Sequence, residues 1–159
     1  MTPLLLSSYT ATTCLGSGLA ATLAGLRDNR SGLKPCAFET VTLDTWTGEV
    51  VAVDAQKLPK NLAHFDCRNN RLVQLALEAD GFAERVREAI ARYGKSRVGI
   101  FLGTSTAGIL QTELAYRRCD PATGALPEDF IYRTTHNSFS LVEFTRDYFG
   151  LEGPALAVS

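Results

Sequence analysis

The residues best suited to chemistry lie in the stretch GTSTAG (103–108), which follows the apolar run RVGIFL. Small hydroxyl and glycine residues after a buried strand can cradle a phosphate with their backbone N–H groups. The stretch matches neither G-x-G-x-x-G nor G-x-x-x-x-G-K-[ST], however. Gly-rich turns after strands are common, so a tight turn with close helix packing is the simpler interpretation.

The two histidines, His64 in NLAHFD and His136 in TTHNS, are isolated from each other in the sequence. Neither has a second ligand four residues away, and two separate histidines do not make a zinc site. No Ser/His/Asp arrangement and no G-x-S-x-G turn is visible. The sequence therefore predicts no metal site and no bound cofactor.

The four cysteines follow no C-x-x-C pattern, which argues against a zinc or redox motif. Cys14 lies in TTCLGSG, a turn between a predicted strand and a predicted helix, where a helix N-terminus lowers a thiol pKa. No base is paired with it in the sequence. We therefore interpret Cys14 as a small packed residue.

Composition excludes several classes of protein. The chain has 159 residues, of which 45% are hydrophobic and 21% charged, and its net charge is -1. This balance favours a single globular domain and gives no general attraction to nucleic acid or to anionic membranes. The absence of a signal-peptide pattern and of a long apolar run predicts a cytoplasmic protein with reduced thiols.

A local cluster of basic residues is interpreted as the solvated face of a helix. Its members are Arg85, Arg87, Arg92, Lys95 and Arg97.

The hydrophobic pattern predicts strands that alternate with helices. Strands are expected at 3–12, 97–103 and 154–158, with a hairpin in 38–54 that turns near Thr47 and Gly48. Helices are expected from a Ser17 cap to residue 27, over 66–93 with a break at Gly81, over 109–118, and from a Ser138 cap to Gly150. This order is typical of an α/β protein with a mainly parallel sheet.

Four segments, taken in order, resemble β-ketoacyl-acyl-carrier-protein synthases, the condensing enzymes of thiolase-like fold. They are PLLLSSYTATTCLGSGLAATLAGLRDNRSGL, DCRNNRLVQLALEA, RVGIFLGTSTAGI and HNSFSLVEFTRDYFGLEGPALAVS. Two departures from the family are Cys14, where proline is usual, and GTSTAG, where GSGxGG-like sequences are common. They suggest a divergent member of the secondary-metabolism type.

The resemblance implies an N-terminal half, residues 1–159, of an α-β-α-β-α sandwich with a mainly parallel mixed sheet. In such enzymes the last strand leads directly to a nucleophilic cysteine, and two histidines follow later, so the resemblance implies no catalytic residue in this chain. The cysteine takes the acyl group from a carrier-protein thioester and malonyl-carrier protein then condenses with it. Implied partners are acyl carrier protein, acyl and malonyl thioesters, the missing C-terminal half, and a second subunit in a homodimer or a ketosynthase heterodimer.

The resemblance also implies three substrate-binding positions. Thr106 matches the position that gates the acyl pocket, while Tyr132 and Asn137 match positions near the acyl tail and the dimer contact. Two other functions stay open: a non-catalytic partner like the chain-length factors, and a stand-alone α/β module that binds a phosphate or nucleotide through GTSTAG. The residue three positions after Ser159, cysteine or not, would separate the enzyme from the partner.

Overall fold

The structure is a computed structural model that describes residues 3–39 and 41–158. In chain order the elements are β1 Thr12–Thr13, β2 Gly16–Ser17, α1 Leu19–Arg27, β3 Leu33–Pro35, β4 Trp46–Gly48, α2 Arg68–Leu77, α3 Phe82–Tyr93, β5 Ile100–Gly103, α4 Ile109–Tyr116, α5 Tyr132–Thr135, α6 Ser140–Phe149 and β6 Ala155–Val158. Short 3-10 turns cover Val51–Val53, Lys60–Phe65 and Ala79–Gly81.

The described strands form three separate two-stranded sheets. β1 with β2 and β3 with β4 are antiparallel, whereas β5 and β6 are parallel. The strands predicted at 97–103 and 154–158 are confirmed over Ile100–Gly103 and Ala155–Val158. They pair with each other in parallel, with Ile100 opposite Ala155 and Gly103 opposite Val158. The chain is α/β with small sheets, and one mainly parallel sheet stays a prediction for the complete fold.

The core forms around α6. Its first six residues, from Ser140 to Thr145, are all buried, so this helix is covered on every side over its first turns. Phe144 packs with Leu62 and Phe65 in the main hydrophobic cluster. α6 begins at Ser140, after a cap position occupied by Phe139, so the predicted Ser138 cap is wrong. It ends as predicted at Gly150, whose φ of 64° is the left-handed conformation that glycine adopts most easily.

The predicted first strand, 3–12, is wrong over most of its length. Residues 3–11 form no strand, and β1 covers Thr12–Thr13 alone. A strand needs a neighbouring strand to pair with its backbone N–H and C=O groups. Ala11 accepts from the Gly18 N–H at 2.8 Å, beside β1, but no described strand pairs with residues 3–10. Leu4, Leu5 and Leu6 are consequently 99%, 89% and 78% exposed.

The hairpin prediction is right in kind and wrong in place. Leu33, Lys34 and Pro35 pair with Gly48, Thr47 and Trp46, so Thr47 and Gly48 lie in a strand rather than at the turn. Val51–Val53 forms a 3-10 turn instead of a strand. Alternation of valine and threonine therefore misled the sequence interpretation, because a Val-rich run does not by itself identify its partner.

The helix predicted over 66–93 is confirmed as two helices, α2 and α3, separated at Ala79–Gly81. The buried side of α2 is polar, however, because its fully or nearly buried residues are Asn70 and Gln74. The expected face of Leu72 and Leu75 is only half-buried. An apolar stripe at helical spacing predicted the helix correctly and its covered face incorrectly.

The turn between α2 and α3 holds the start of α1 through Asp80. Its carboxylate accepts hydrogen bonds from the Leu19 N–H at 2.9 and 3.1 Å and from the Thr10 hydroxyl at 2.8 Å. This residue supplies the acceptor for the first turn of α1, and the predicted Ser17 cap is not observed because Gly18 occupies the cap position without a side-chain bond.

We expect Asp80→Ala to lower the free energy of unfolding by about 1–2 kcal/mol. The first turn of α1 loses its hydrogen-bond acceptor. In addition, residue 80 has a left-handed backbone, with φ 56°, which aspartate adopts more easily than alanine. Asp80→Asn keeps one acceptor oxygen and the tolerance for positive φ, so its loss should be smaller. Thermal unfolding of both variants measures the effect. Equal losses for alanine and asparagine would contradict this role.

Tyr148 gives the stability of the protein a dependence on alkaline pH. Burial raises the pKa of Tyr148, and its hydrogen bond to Glu78 Oε1, 3.0 Å long, raises that pKa further. A group whose folded pKa lies above its unfolded value contributes stability that is lost as pH rises past the unfolded value, ordinarily about 10.

Tyr148→Phe should therefore lose less stability than the unmodified protein between about pH 9 and 11. The measurement is the urea midpoint at successive pH values, with exposed Tyr93→Phe as the matched control. Burial also raises the pKa of Cys67, so some alkaline loss should remain in both variants. Identical pH profiles for Tyr148→Phe and Tyr93→Phe would exclude the effect.

Candidate functional site

The loop 103–108 connects the parallel sheet to α4 and is held at several points. The Thr104 N–H donates to the Val158 carbonyl at 2.9 Å, which extends the β5–β6 ladder by one bond. The Thr104 hydroxyl donates to the Thr106 carbonyl at 2.9 Å. From α2, the Asn69 amide donates to the Thr106 carbonyl at 3.3 Å and accepts from the Gly108 N–H at 3.0 Å. The loop is therefore fixed to both the sheet and α2.

Gly108 is the point where this loop touches α5. It has φ 64°, it precedes α4, and it is buried. A Cβ at this position would lie 1.5 Å from the Thr135 carbonyl oxygen and 2.7 Å from His136 Cα. The loop and the end of α5 are thus in direct backbone contact, which a side chain would prevent.

These bonds weaken the interpretation of GTSTAG as a phosphate cradle. A cradle needs several backbone N–H groups directed at one anion, but the Thr104 and Gly108 N–H groups at either end of the loop already have protein partners. The simpler interpretation, a tight turn with close helix packing, agrees with the contact of Gly108 on α5.

The three predicted substrate-binding residues lie on two neighbouring segments. Thr106 is exposed in the loop, and Tyr132 is 58% exposed at the start of α5. Asn137 follows α5 and is half-buried, and its side-chain oxygen accepts from the Phe139 N–H at 2.9 Å. The contact between Gly108 and Thr135 joins the segment of Thr106 to that of Tyr132 and Asn137. No bound molecule tests their assigned roles, which stay predictions.

A cleft of about 390 Å³ opens beside Tyr132. It lies between α4, the loop before α5, and α5. Its lining residues are Thr112, Tyr116, Leu126, Pro127, Glu128, Phe130, Tyr132 and His136. The walls are mainly aromatic and aliphatic with a few polar groups, a composition common in sites for small organic molecules.

His136 has a defined orientation in this cleft. Its Nδ1 contacts the Thr112 hydroxyl, which also donates to the Gly108 carbonyl at 3.0 Å. A threonine hydroxyl has one proton, so both contacts are satisfied together when His136 carries its proton on Nδ1. Its Nε2 is then an acceptor. The sequence missed this pair, because Thr112 and His136 are 24 residues apart with no motif to connect them.

A second cleft, of about 410 Å³, has charged walls. Its lining residues are Asp54, Gln56, Lys57, Leu58, Ala63, Asp66 and Arg71. The Arg71 guanidinium bonds both Asp66 oxygens at 2.6 and 2.7 Å, and Arg68 is paired with Asp54. Both carboxylates of the lining are thus paired with arginines, and Lys57 adds one further positive charge to the cleft.

Cys14 and Cys67 show packing rather than reactivity. Cys14 Sγ lies against Gly32 and Gly48, where a Cβ would approach it within 2.7 and 3.0 Å respectively. This agrees with the prediction that Cys14 is a small packed residue. Cys67 is fully buried at the start of α2, and burial raises the pKa of its thiol, which disfavours the reactive thiolate.

The remaining sequence candidates are solvated groups. His64 lies in the 3-10 turn with its ring 4.3 Å from the Phe65 ring. The five basic residues between Arg85 and Arg97 are all exposed, and Arg87 and Lys95 pair with Glu84 and Glu152. They are solvated as predicted, but only Arg85, Arg87 and Arg92 lie on the helix, because α3 ends at Tyr93 before Lys95 and Arg97.

The described residues contain neither a cluster of metal-binding side chains nor a membrane-spanning helix. Over 3–39 and 41–158, no group of three or more His, Cys, Asp or Glu side chains is placed to hold a metal ion. In that same part of the chain, every helix is too short or too polar to cross a bilayer.

Comparison with known proteins gives a similarity to a solved structure. No family model matches the chain, and no curated protein matches it. Among solved structures, the chain is similar to a chain from the complex of a ketosynthase with its chain length factor from Xenorhabdus doucetiae, with a TM-score of 0.65 and 23% sequence identity. The similarity covers 94% of this chain and 39% of that chain. This chain therefore has a ketosynthase-like fold over nearly all of its length.

Proposed function

We propose that this chain is the N-terminal part of a β-ketoacyl-acyl-carrier-protein synthase. The observation that carries the proposal is the fold similarity, which extends over 94% of the chain. The order of the four resembling segments in the sequence is independent support. Because a fold alone does not determine activity, the function must be tested on the full-length protein.

In the proposed reaction a cysteine thiolate outside these 159 residues attacks an acyl thioester and releases the carrier thiol. Malonyl-carrier protein then loses CO₂, and its carbanion attacks the acyl-enzyme to form the β-ketoacyl thioester and restore the thiolate. This chain would provide the scaffold and part of the acyl pocket, with Thr106, Tyr132 and Asn137 along that pocket. Its own histidines and cysteines are proposed to take no part in the chemistry.

The exposed apolar surface supports a larger assembly. A compact monomer of 17.2 kDa has an accessible surface of about 7,800 Å², whereas this chain exposes 10892 Å². On the open side of the parallel sheet, Phe101 and Val158 are 75% and 62% exposed. Exposed apolar areas of this kind mark contact surfaces. We propose that the C-terminal half of the same fold and a second subunit cover them.

A second candidate is a non-catalytic partner of a ketosynthase. It is favoured by the solved structure itself, which contains a ketosynthase together with its chain length factor. Such a partner would share the fold and the acyl pocket while lacking the nucleophile. The two candidates therefore share a fold but differ in chemistry, because only the enzyme would form an acyl-cysteine.

Acyl transfer to the full-length protein distinguishes them. Incubation with an acyl thioester of carrier protein should add the mass of one acyl group, detected by intact mass spectrometry, if the protein is the enzyme. The residue third after Ser159 should then be cysteine, and its replacement by alanine should abolish the added mass. Absence of acylation together with a different residue there would support the partner. Nucleotide binding without carrier-protein binding would contradict both.

A further inference from the structure

Asn69 holds the backbone of the loop 103–108 from two sides. Its Nδ2 donates to the Thr106 carbonyl at 3.3 Å, and its Oδ1 accepts from the Gly108 N–H at 3.0 Å. An asparagine amide that donates to one peptide and accepts from another two residues away fixes both peptide planes. The Thr106 carbonyl also accepts from the Thr104 hydroxyl, so both of its lone pairs have partners. This arrangement fixes the direction in which the Thr106 side chain leaves the backbone.

Asn70, the next residue of α2, holds the opposite segment. It is fully buried, and its Nδ2 donates to the Phe65 carbonyl at 2.8 Å and to the Thr134 carbonyl of α5 at 3.4 Å. Two consecutive asparagines on one turn of α2 thus bond to two different segments. One of these segments carries Thr106, and the other carries Tyr132.

The two segments also meet directly, where Gly108 lies against the Thr135 carbonyl. Two features therefore set the distance between the loop and α5. One is their direct contact at Gly108, and the other is their attachment to α2, through Asn69 for the loop and through Asn70 for α5. Because any side chain placed at Gly108 would clash with α5, Asn69 is the member of this arrangement that can be substituted without such a clash. A change at Asn69 would shift Thr106 relative to Tyr132 and leave the α5 anchor at Asn70 in place.

We propose that Asn69 is a positioning residue that determines which acyl chain lengths the pocket accepts, by fixing Thr106 relative to Tyr132. This inference rests on the proposed function, because it takes Thr106 and Tyr132 as walls of the acyl pocket. Asn69 itself touches no substrate. It acts through the two hydrogen bonds to the loop.

The first arm of the test measures the loop without any activity. Amide hydrogen exchange of Gly108 in the full-length protein should accelerate roughly tenfold in Asn69→Leu, because the N–H loses its acceptor. Asn69→Asp keeps that acceptor and should leave the exchange of Gly108 nearly unchanged, although it can no longer donate to Thr106. The exposed Asn61→Leu is the matched control and should behave as the unmodified protein.

The second arm measures the distribution of product chain lengths made by the full-length protein, alone or paired with a ketosynthase if it is the partner. Asn69→Leu should shift the ratio of long to short products by roughly tenfold, the lower end of the effect that one methylene of pocket space produces. Asn69→Asp should shift it in the same direction by less. Asn61→Leu should leave it unchanged, and Thr106→Leu should also shift it.

Unchanged exchange of Gly108 in Asn69→Leu would overturn the inference whatever the products are. Faster exchange with unchanged products, while Thr106→Leu does alter them, would overturn the positioning role and leave the proposed pocket intact. If neither Asn69→Leu nor Thr106→Leu alters the products, the assignment of the acyl pocket fails first, and the role of Asn69 fails with it.

Discussion

Gly108→Ala is expected to lower the free energy of unfolding by about 2–5 kcal/mol, and to disrupt the candidate site. Two costs add at this position. A residue with a Cβ pays about 1–2 kcal/mol to adopt the left-handed φ of 64°. The new Cβ would also lie 1.5 Å from the Thr135 carbonyl oxygen, which is a backbone atom and cannot rotate away. Forcing the segments apart adds about 1–3 kcal/mol.

The measurement is urea unfolding of Gly108→Ala beside Gly124→Ala. Gly124 also has positive φ, at 72°, but a Cβ there meets no atom within 4 Å. The control therefore carries the backbone cost alone, about 1–2 kcal/mol. The difference between the two variants isolates the contact of the loop with α5. Equal destabilisation would show that the loop and α5 do not touch as described.

Gly108→Ala should also change the cleft beside Tyr132, because displacement of Thr135 moves the turn that carries His136. The Thr112–His136 contact would open, and the exchange of the Gly108 amide should increase as its bond to Asn69 weakens. In the catalytic or partner assay, product lengths should change even at temperatures where the variant stays folded. This link connects the stability of the loop with the proposed acyl pocket.

Sequence patterns predicted the elements whose local signals agree with their surroundings. The run RVGIFL predicted a parallel strand because such strands are continuously apolar, and β5 overlaps this run, although Phe101 is exposed rather than buried. Gly81 and Gly150 marked the ends of helices because glycine accepts the left-handed φ found at both positions. These features depend on a few adjacent residues, so one sequence is sufficient to find them.

Features that depend on distant residues were missed or misplaced. The apolar stretch at 3–6 looks like a strand, yet a strand exists only beside another strand, and no described segment pairs with it. On α2 the leucines suggested the buried face, whereas Asn70 and Gln74 occupy it because they bond to neighbouring segments and to Glu78. Tertiary contact overrode the hydrophobic pattern in both cases.

The candidate site was also predicted only in part. Thr106 and Tyr132 were proposed from the resemblance to a known family, whereas the side chains that hold their segments in place were not predicted. An asparagine at a helix start usually indicates a cap, and nothing in RNNRLVQ distinguishes a cap from a clamp on a loop 37 residues away. The weak sequence signal was the unusual Asn-Asn pair within a helix, where asparagine is unfavourable unless its side chain has a purpose.

The turn before β6 is the second place where a single methyl group should have a large effect. Gly153 lies against the segment that leads into β5, and a Cβ there would be 2.2 Å from the Val98 carbonyl oxygen. The N–H groups of Glu152 and Gly153 donate to the Lys95 carbonyl at 3.0 and 3.2 Å, and the Ile100 N–H donates to the Pro154 carbonyl at 2.8 Å. These bonds align β6 beside β5.

Gly153→Ala should therefore lower the free energy of unfolding by about 2–3 kcal/mol, because the turn must move away from backbone atoms and its bonds stretch. Gly103→Ala, at the far end of the same strand pair, is the matched control, since a Cβ there meets nothing within 4 Å. It should change stability by no more than about 0.5 kcal/mol.

Exchange of the Ile100 and Thr104 amides, which donate to Pro154 and Val158, reports the alignment of the two strands directly. Both should exchange faster in Gly153→Ala than in Gly103→Ala. In the proposed enzyme β6 leads to the nucleophile, so a misaligned β6 should also reduce acyl transfer beyond the loss of folded protein. If Gly153→Ala is fully acylated although its strand amides exchange rapidly, then catalysis does not depend on the alignment of β6. That result would contradict the proposed role of the strand.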